Sequence, residues 1–238
     1  MPFATPRWRL LVPAAAVTAS VLVAGPLGLA PDVTPRADAT PVLGQSKVTP
    51  EEIAAWYRSK RIRSRSPTPV RELARLFVEE GNAQGVRGDL AFAQSMVETG
   101  WLRYGGQVRP SDHNFSGLGA CDSCRRGLAF RDPTIGVRAQ IQHLYAYAEP
   151  DASEDQLAQP LVDIRFDKVS PKGRARTWQK MGRGNWATDR AYGRKVLRVY
   201  REIRVFARNS RAAGLSTPPV PGTPVAPVAV SGTPLPPR

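Results

Sequence analysis

The two ends of the chain differ in composition from its middle, and this difference limits how much of the sequence can fold into a packed domain. Residues 1–39 have the pattern of an export signal: Arg7 and Arg9 precede a long apolar stretch, and Ala37–Ala39 forms a small-x-small cleavage site. An uncleaved membrane anchor is the alternative, because the apolar stretch has about the length that spans a bilayer. Prolines and glycines within the stretch favour cleavage, so we expect the protein to be secreted or associated with the cell wall.

The carboxyl-terminal end, residues 209–238, is rich in Pro, Val, Thr and Gly and has no helical or strand period. We therefore predict an extended, disordered tail. With residues 40–48 assigned to a linker, residues 49–208 remain as one domain. This segment is large enough to bury a hydrophobic core by itself.

Capping signals and apolar spacings predict that this domain is mainly α-helical. Thr49 and Pro50 open the first helix, and Glu52 completes a capping box with Thr49. Apolar residues then recur at spacings of three and four in four further segments. The expected starts of those helices are Thr68-Pro69, Asp89, Asp132-Pro133 and Thr188-Asp189.

A small β-hairpin is expected between Leu118 and Phe130, closed by Cys121 and Cys124. An export signal implies an oxidising compartment, where two cysteines at this spacing favour a disulfide. A zinc site is the alternative, but it would require both cysteines to converge with His113 and His143. We predict no metal and no organic cofactor.

The chain is strongly basic, with a formal net charge of +14. A charge of this size favours polyanionic partners. For an exported protein, an anionic cell wall is a better candidate than nucleic acid, and the sequence carries no nucleic-acid-binding motif. The simpler alternative is that the charge only keeps the protein soluble.

Glu98 is the residue whose environment most suggests chemistry. It lies near the end of the apolar segment Leu90–Val97, just before a Thr-Gly-Trp break. A carboxylate in apolar surroundings is poorly solvated, which raises its pKa, and a glycosidase general acid requires such a group. Trp101 follows at i+3, where its ring could stack on a sugar. The alternative is an ordinary carboxylate at a helix end in water.

Three segments, in order, resemble the glucosaminidase family (glycoside hydrolase family 73, lysozyme-like superfamily). AFAQSMVETGW resembles the motif around that family's catalytic glutamate. The segments His113–Leu118 and Trp186–Tyr192 resemble its N-x-F-G-[IL] and Y-A-T-D-P-x-Y blocks. The resemblance covers about residues 70–205 and is greatest to exported actinobacterial members. It implies a lysozyme-like α+β fold, mainly helical.

The resemblance also implies roles for individual residues. Glu98 aligns with the catalytic acid, and Tyr192 with a tyrosine at the floor of the cleft that positions the N-acetyl group or the attacking water. A plain core tyrosine is the alternative for Tyr192. The residues expected to line the sugar-binding cleft or support it are Trp101, Tyr104, Asn114, Phe115 and Trp186.

One departure from the family pattern concerns the second catalytic carboxylate. Many members carry it on a longer hairpin after the N-x-F-G block, whereas the corresponding segment here is short and holds only Asp122 and Asp132. We predict that Asp122 is the catalytic partner and that Asp132 caps the next helix. A general base would lie about 6.5–9.5 Å from Glu98. Without one, assistance by the substrate's N-acetyl group remains.

These observations predict an endo-β-N-acetylglucosaminidase that cleaves β-1,4 bonds of peptidoglycan and acts as a monomer. Two alternatives share the glycan partner: a lytic transglycosylase or lysozyme-like enzyme, and a noncatalytic glycan-binding module. A basic nucleic-acid binder is a third alternative, against which the export signal argues.

Overall fold

The computed structural model describes residues 39–120 and 126–218. Several predictions therefore lie outside the described residues, namely the export signal up to residue 38, the tail from 219, Cys121, Asp122 and Cys124. Five α-helices are present within the described segments. They are α1 (Pro50–Ser59), α2 (Val70–Gln84), α3 (Gly88–Glu98), α4 (Pro133–Ala148) and α5 (Tyr192–Ala212).

The prediction of a mainly helical fold is confirmed. Four short 3₁₀ turns connect the helices within the described segments, at Pro110–Asp112, Glu154–Gln156, Phe166–Lys168 and Trp178–Lys180. β-structure in the described part of the chain is limited to two isolated bridges, Pro41 with Thr177 and Leu43 with Val86. Neither bridge lies in 118–130, where the hairpin was expected; there, Leu128 donates its N–H to the carbonyl of Leu118 at 2.8 Å.

Helix α3 lies at the centre of the helical packing. Every residue from Gly88 to Met96 is buried, and α2, α4 and α5 all contact this helix. Its crossing with α2 is very close, since a Cβ on Gly88 would lie 2.0 Å from the Phe77 carbonyl oxygen. Glycine at position 88 therefore permits a contact that a side chain would prevent. The helix can sit inside the domain because most of its residues are apolar and its buried polar side chains, Asp89, Gln94 and Ser95, have hydrogen-bond partners.

The capping box predicted for α1 is confirmed, and its glutamate also joins the two ends of the domain. Thr49 caps α1, and Glu52 accepts the Thr49 N–H at 3.0 Å. Glu52 is buried and also accepts two hydrogen bonds from Arg211, at 2.6 and 2.5 Å, and one from Ser216 at 2.8 Å. Burial raises the pKa of Glu52, but these hydrogen bonds and the Arg211 charge outweigh it, so the net pKa is lowered.

The domain is longer at both ends than the sequence indicated. Residues 40–48 were expected as a linker, but Val42 is fully buried and forms backbone hydrogen bonds with Arg176 and Arg87. At the other end, α5 continues to Ala212, beyond the boundary placed at 208. A short extended segment with three aliphatic residues at irregular spacing has no period to recognise, which explains why the first boundary was misplaced.

Two of the expected helix starts differ in the structure. Asp89 is not the cap of α3 but lies inside its first turn, where it is buried and paired with Arg87 at 2.9 Å. Its second oxygen accepts a hydrogen bond from Tyr200 at 2.9 Å. Asp189 lies three residues before α5, where its side chain accepts the Ala191 N–H at 2.7 Å. Asp189 makes a local hydrogen bond of the capping type, whereas Asp89 binds Arg87 and Tyr200, so each aspartate marks a helix start only to within a few residues.

No helix in residues 39–120 or 126–218 has the length and apolar character needed to cross a membrane.

Candidate active site

Glu98 is the last residue of α3 and emerges from the buried helix into a cleft. The side chain is half-buried, whereas the preceding residues up to Met96 are fully enclosed. The cleft has a volume of about 710 Å³. Its walls are the end of α3, the loops 104–108 and 116–120, the segment 186–189 and the first turns of α5.

The two oxygens of Glu98 have different surroundings. Oε1 accepts a hydrogen bond from the Trp186 indole Nε1 at 3.0 Å and another from the Tyr192 hydroxyl. No described residue donates to Oε2. A Cβ added to Gly117, whose φ is +69°, would lie 3.5 Å from Oε2, so the loop backbone passes close to this oxygen. Because Oε1 already accepts two hydrogen bonds, the proton of the neutral carboxyl group belongs on Oε2.

Burial raises the pKa of Glu98 above its ordinary value, although the hydrogen bonds from Tyr192 and Trp186 act in the opposite direction. Burial also raises the pKa of Tyr192 well above its ordinary value, and the neighbouring Glu98 charge adds to this effect. Tyr192 therefore remains a neutral hydrogen-bond donor. The carboxyl group of Glu98 has the character of an acid that holds its proton nearer to neutral pH.

A buried polar chain fixes Tyr192 from behind. The hydroxyl of Tyr192 accepts a hydrogen bond from Gln94 Nε2 at 2.8 Å, and Gln94 accepts one from Gln140 Nε2 at 2.8 Å. Gln140 also donates to the Ala91 carbonyl at 3.1 Å. Both glutamines are fully buried, and they link α4, α3 and α5. The only proton of the Tyr192 hydroxyl is thus directed at Glu98.

A second group of side chains holds Trp186. Its ring lies 5.2 Å from the His143 ring and 5.8 Å from the Tyr147 ring, measured between centroids. His143 Nδ1 lies 2.7 Å from a carboxylate oxygen of Asp163, and that pair is buried. The indole N–H therefore has a fixed direction towards Glu98.

Besides Glu98, three of the residues predicted for the site lie in the cleft, namely Tyr104, Trp186 and Tyr192. Trp186 was expected to contact substrate; it also donates a hydrogen bond directly to Glu98. Tyr192 was expected to position the N-acetyl group or water. No observation tests that role; the hydroxyl accepts a hydrogen bond from Gln94 and donates one to Glu98.

Trp101 does not line the cleft, because the backbone turns after α3. Gly100, Trp101 and Leu102 have φ values of 57°, 64° and 58°, a short left-handed turn. The turn directs the Trp101 ring onto Trp56, with 5.6 Å between centroids, and Tyr57 donates its hydroxyl to the Trp101 carbonyl at 2.8 Å. The prediction that Trp101 lies beside Glu98 on one helix face required the helix to continue past Glu98, but α3 ends there.

Asn114 and Phe115, which were predicted to line the cleft or support it, lie in the core and are not among the residues of the cleft wall. Asn114 is fully buried and donates to the Leu118 and Leu128 carbonyls at 2.8 and 2.9 Å. Phe115 packs against Phe77, with 6.1 Å between centroids. Together they fix the loop that brings Gly117 to Glu98.

Two further described carboxylates, Asp132 and Asp189, have structural partners. Asp132 caps α4, accepting the Ile135 N–H at 2.9 Å, as predicted. Asp189, which the sequence did not single out for chemistry, lies in the cleft wall and pairs with Lys195 at 2.8 Å. The hydrogen bond from Lys195, with that from the Ala191 N–H, lowers the pKa of Asp189. Across residues 39–120 and 126–218, no group of three or more His, Cys, Asp or Glu side chains could hold a metal ion.

Comparison with known proteins identifies two similarities. Residues 74–205 match the family model for glucosaminidases, described as mannosyl-glycoprotein endo-beta-N-acetylglucosaminidase. A protein of Borreliella burgdorferi, described only as uncharacterized, is 37% identical over 134 residues. That alignment covers 56% of this chain and 63% of the Borreliella protein, so the chain spans less than two thirds of its relative.

Proposed function

The chain belongs to the glucosaminidase family, and from this premise we propose that it is an endo-β-N-acetylglucosaminidase of peptidoglycan. The reaction is hydrolysis of a β-1,4 glycosidic bond on the N-acetylglucosamine side. One observation carries the proposal: Glu98 presents one oxygen to two fixed donors and the other to an open cleft.

Glu98 is the general acid in this proposal. Its Oε2 carries the proton and transfers it to the glycosidic oxygen as the bond to the anomeric carbon breaks. The carboxylate that results is stabilised on Oε1 by Trp186 and Tyr192, which are already in place before the reaction. The raised pKa keeps a fraction of Glu98 protonated towards neutral pH, as this role requires.

Asp122 is the proposed second carboxylate, which activates water on the opposite face of the sugar. In the sequence it stands two positions after Ala120, a residue of the cleft wall. Assistance by the substrate's own N-acetyl group is the competing route and needs no second carboxylate. Asp189 is less suited to act as a base, because its charge is stabilised by Lys195 and its pKa is lowered.

The proposed setting is the cell wall. The export-signal pattern of residues 1–39 and the net charge of +14 support secretion and attraction to anionic wall polymers. Cys121 and Cys124 are proposed to form a disulfide under these oxidising conditions, and the protein is proposed to act as a monomer.

Reducing-sugar release from purified peptidoglycan, with mass spectrometry of the fragments, tests the proposed activity. The wild-type protein should release fragments with reducing N-acetylglucosamine ends, and Glu98→Gln should not. Glu202→Gln is the matched control, because Glu202 lies on α5 and pairs with Lys60 away from the cleft wall. Fragments with 1,6-anhydromuramic ends would identify a transglycosylase. Glycan binding without any product from the wild type would identify a noncatalytic module.

A further inference from the structure

A second cavity of about 720 Å³ adjoins the cleft, and its charged lining is entirely basic. Arg63, Arg65 and Arg103 line it, together with Gly100 and Tyr104. Gly100 and Tyr104 also belong to the wall of the cleft that holds Glu98. The two cavities are therefore neighbours along one surface. Arg63 and Arg65 come from the basic segment between α1 and α2, whose position next to the cleft could not be read from the sequence.

The backbone around this cavity is fixed although its arginines are exposed. Arg65 donates its backbone N–H to the Leu102 carbonyl at 2.8 Å, which ties the basic segment to the left-handed turn after α3. The Arg65 Nη1 donates to the Arg103 carbonyl at 3.3 Å, and the Arg103 Nε donates to the Gly100 carbonyl at 3.2 Å. These hydrogen bonds attach the guanidinium groups of Arg65 and Arg103 to the backbone of the cavity wall.

The positive charges of this cavity have no acidic partner among the described residues. The ion pairs in segments 39–120 and 126–218 involve other basic residues and leave out Arg63, Arg65 and Arg103. Like charges held close together repel unless an anion lies between them. Guanidinium groups match the geometry of carboxylates particularly well. Burial raises the pKa of Tyr104 to about 12, so its hydroxyl keeps its proton and remains a donor.

We propose that this cavity, the arginine pocket of Arg63, Arg65 and Arg103, binds carboxylate groups carried by the glycan strand whose bond is cleaved at Glu98. The inference rests on the proposed function, because it takes peptidoglycan as the polymer in the cleft. Peptidoglycan carries carboxylates on its stem peptides along the strand. A strand lying in the cleft brings such groups towards Gly100 and Tyr104, where the two cavities meet. The arginine pocket thereby selects acidic, peptide-bearing strands over neutral glycans.

Binding to defined fragments in the inactive Glu98→Gln background tests this proposal without relying on turnover. The acidic ligand is a soluble peptidoglycan fragment with free stem-peptide carboxylates. The neutral ligand is the same fragment with those carboxylates converted to amides. The test variant combines Arg63→Gln with Arg65→Gln, and the control combines Arg201→Gln with Arg208→Gln. The control removes the same charge from exposed positions of α5 that are not among the cavity's lining residues.

The expected result is a weakening of acidic-fragment binding by about tenfold in the test variant, with amidated-fragment binding changed by less than about twofold. The control variant should retain both affinities. Equal losses for both ligands, or the same loss in the control, would overturn the proposal. Soluble polyphosphate serves as a further probe: if the test variant loses affinity for polyphosphate alone, the pocket recognises wall-polymer phosphate and the proposal fails. Because binding is measured, a lack of hydrolysis by the wild type would count against the proposed function and leave this result interpretable.

Discussion

Replacement of Tyr192 by phenylalanine tests how the acid is held, because it removes one hydroxyl and leaves the ring. The hydroxyl donates to Glu98 Oε1 and accepts from Gln94 Nε2 at 2.8 Å. Gln94 is fully buried, so its amide loses a partner that water cannot easily replace. An unsatisfied buried group costs about 1–3 kcal/mol, and a domain of this size loses about 2–4 °C in Tm for each kcal/mol.

The same substitution should alter the pH dependence of activity in a defined direction. The Tyr192 hydrogen bond lowers the pKa of Glu98, so its removal raises that pKa further. Glu98 acts in its protonated form, and the alkaline limb of kcat/KM should therefore move to higher pH. The rate at the optimum should fall by about tenfold or more, because the carboxylate formed by proton transfer loses a charge-assisted hydrogen bond.

The assay is the pH profile of reducing-sugar release, measured beside thermal unfolding, with Tyr200→Phe as the control. Tyr200 lies on the same helix and its hydroxyl donates to the buried Asp89, so its loss should lower Tm as well. It does not contact the cleft and should leave the pH profile unchanged. An alkaline limb that stays in place or moves to lower pH in Tyr192→Phe would refute the role assigned to this hydroxyl.

Three further predictions follow from the same contacts. Trp186→Phe removes the second donor to Oε1, so the alkaline limb of kcat/KM should again move to higher pH; an unchanged profile would contradict this role. Glu98→Gln should have a higher Tm than wild type at pH 8 but not below about pH 4. The reason is that the pKa of Glu98 is raised in the folded protein, so the wild type loses stability as Glu98 ionises. A difference in Tm that does not depend on pH would contradict the raised pKa. Glu52→Gln should lower the free energy of unfolding by about 2 kcal/mol at neutral pH, because the buried site loses the charge-assisted hydrogen bonds from the partly exposed Arg211. The lowered pKa of Glu52 means that this penalty should shrink as the pH falls below about 4, and a constant penalty would be inconsistent with it.

The helices could be predicted from the sequence because their signals are local. Thr49 with Glu52, and Asp132 before Pro133, form their caps within a few residues, so each pattern alone determines the start. The conformation of residues 40–48 could not be predicted in this way, because it is fixed by bridges to Val86 and Thr177, which are distant in the sequence. Such long-range pairing leaves almost no local trace.

For the site, the sequence singled out Glu98 but not the way in which its side chain is held. Its position at the end of a largely apolar helix left an ordinary carboxylate open as the alternative, and the resemblance of AFAQSMVETGW to the glucosaminidase motif made Glu98 the candidate acid. Gln94 and His143 were missed, since buried polar residues on helices look like ordinary surface positions until their partners are known. Trp101 was misplaced because the turn after Gly100 is left-handed, and only the glycine hinted at it.

The contacts of Glu52 with Arg211 and Ser216 also link the start of the domain to its end. Arg211 donates to the Lys47 carbonyl at 3.1 Å, so the backbone entering α1 and the backbone leaving α5 lie beside each other. A protein trimmed to residues 74–205 would therefore lack both Glu52 and Arg211 and would lose this link between the two ends. It would still contain Glu98, Trp186 and Tyr192.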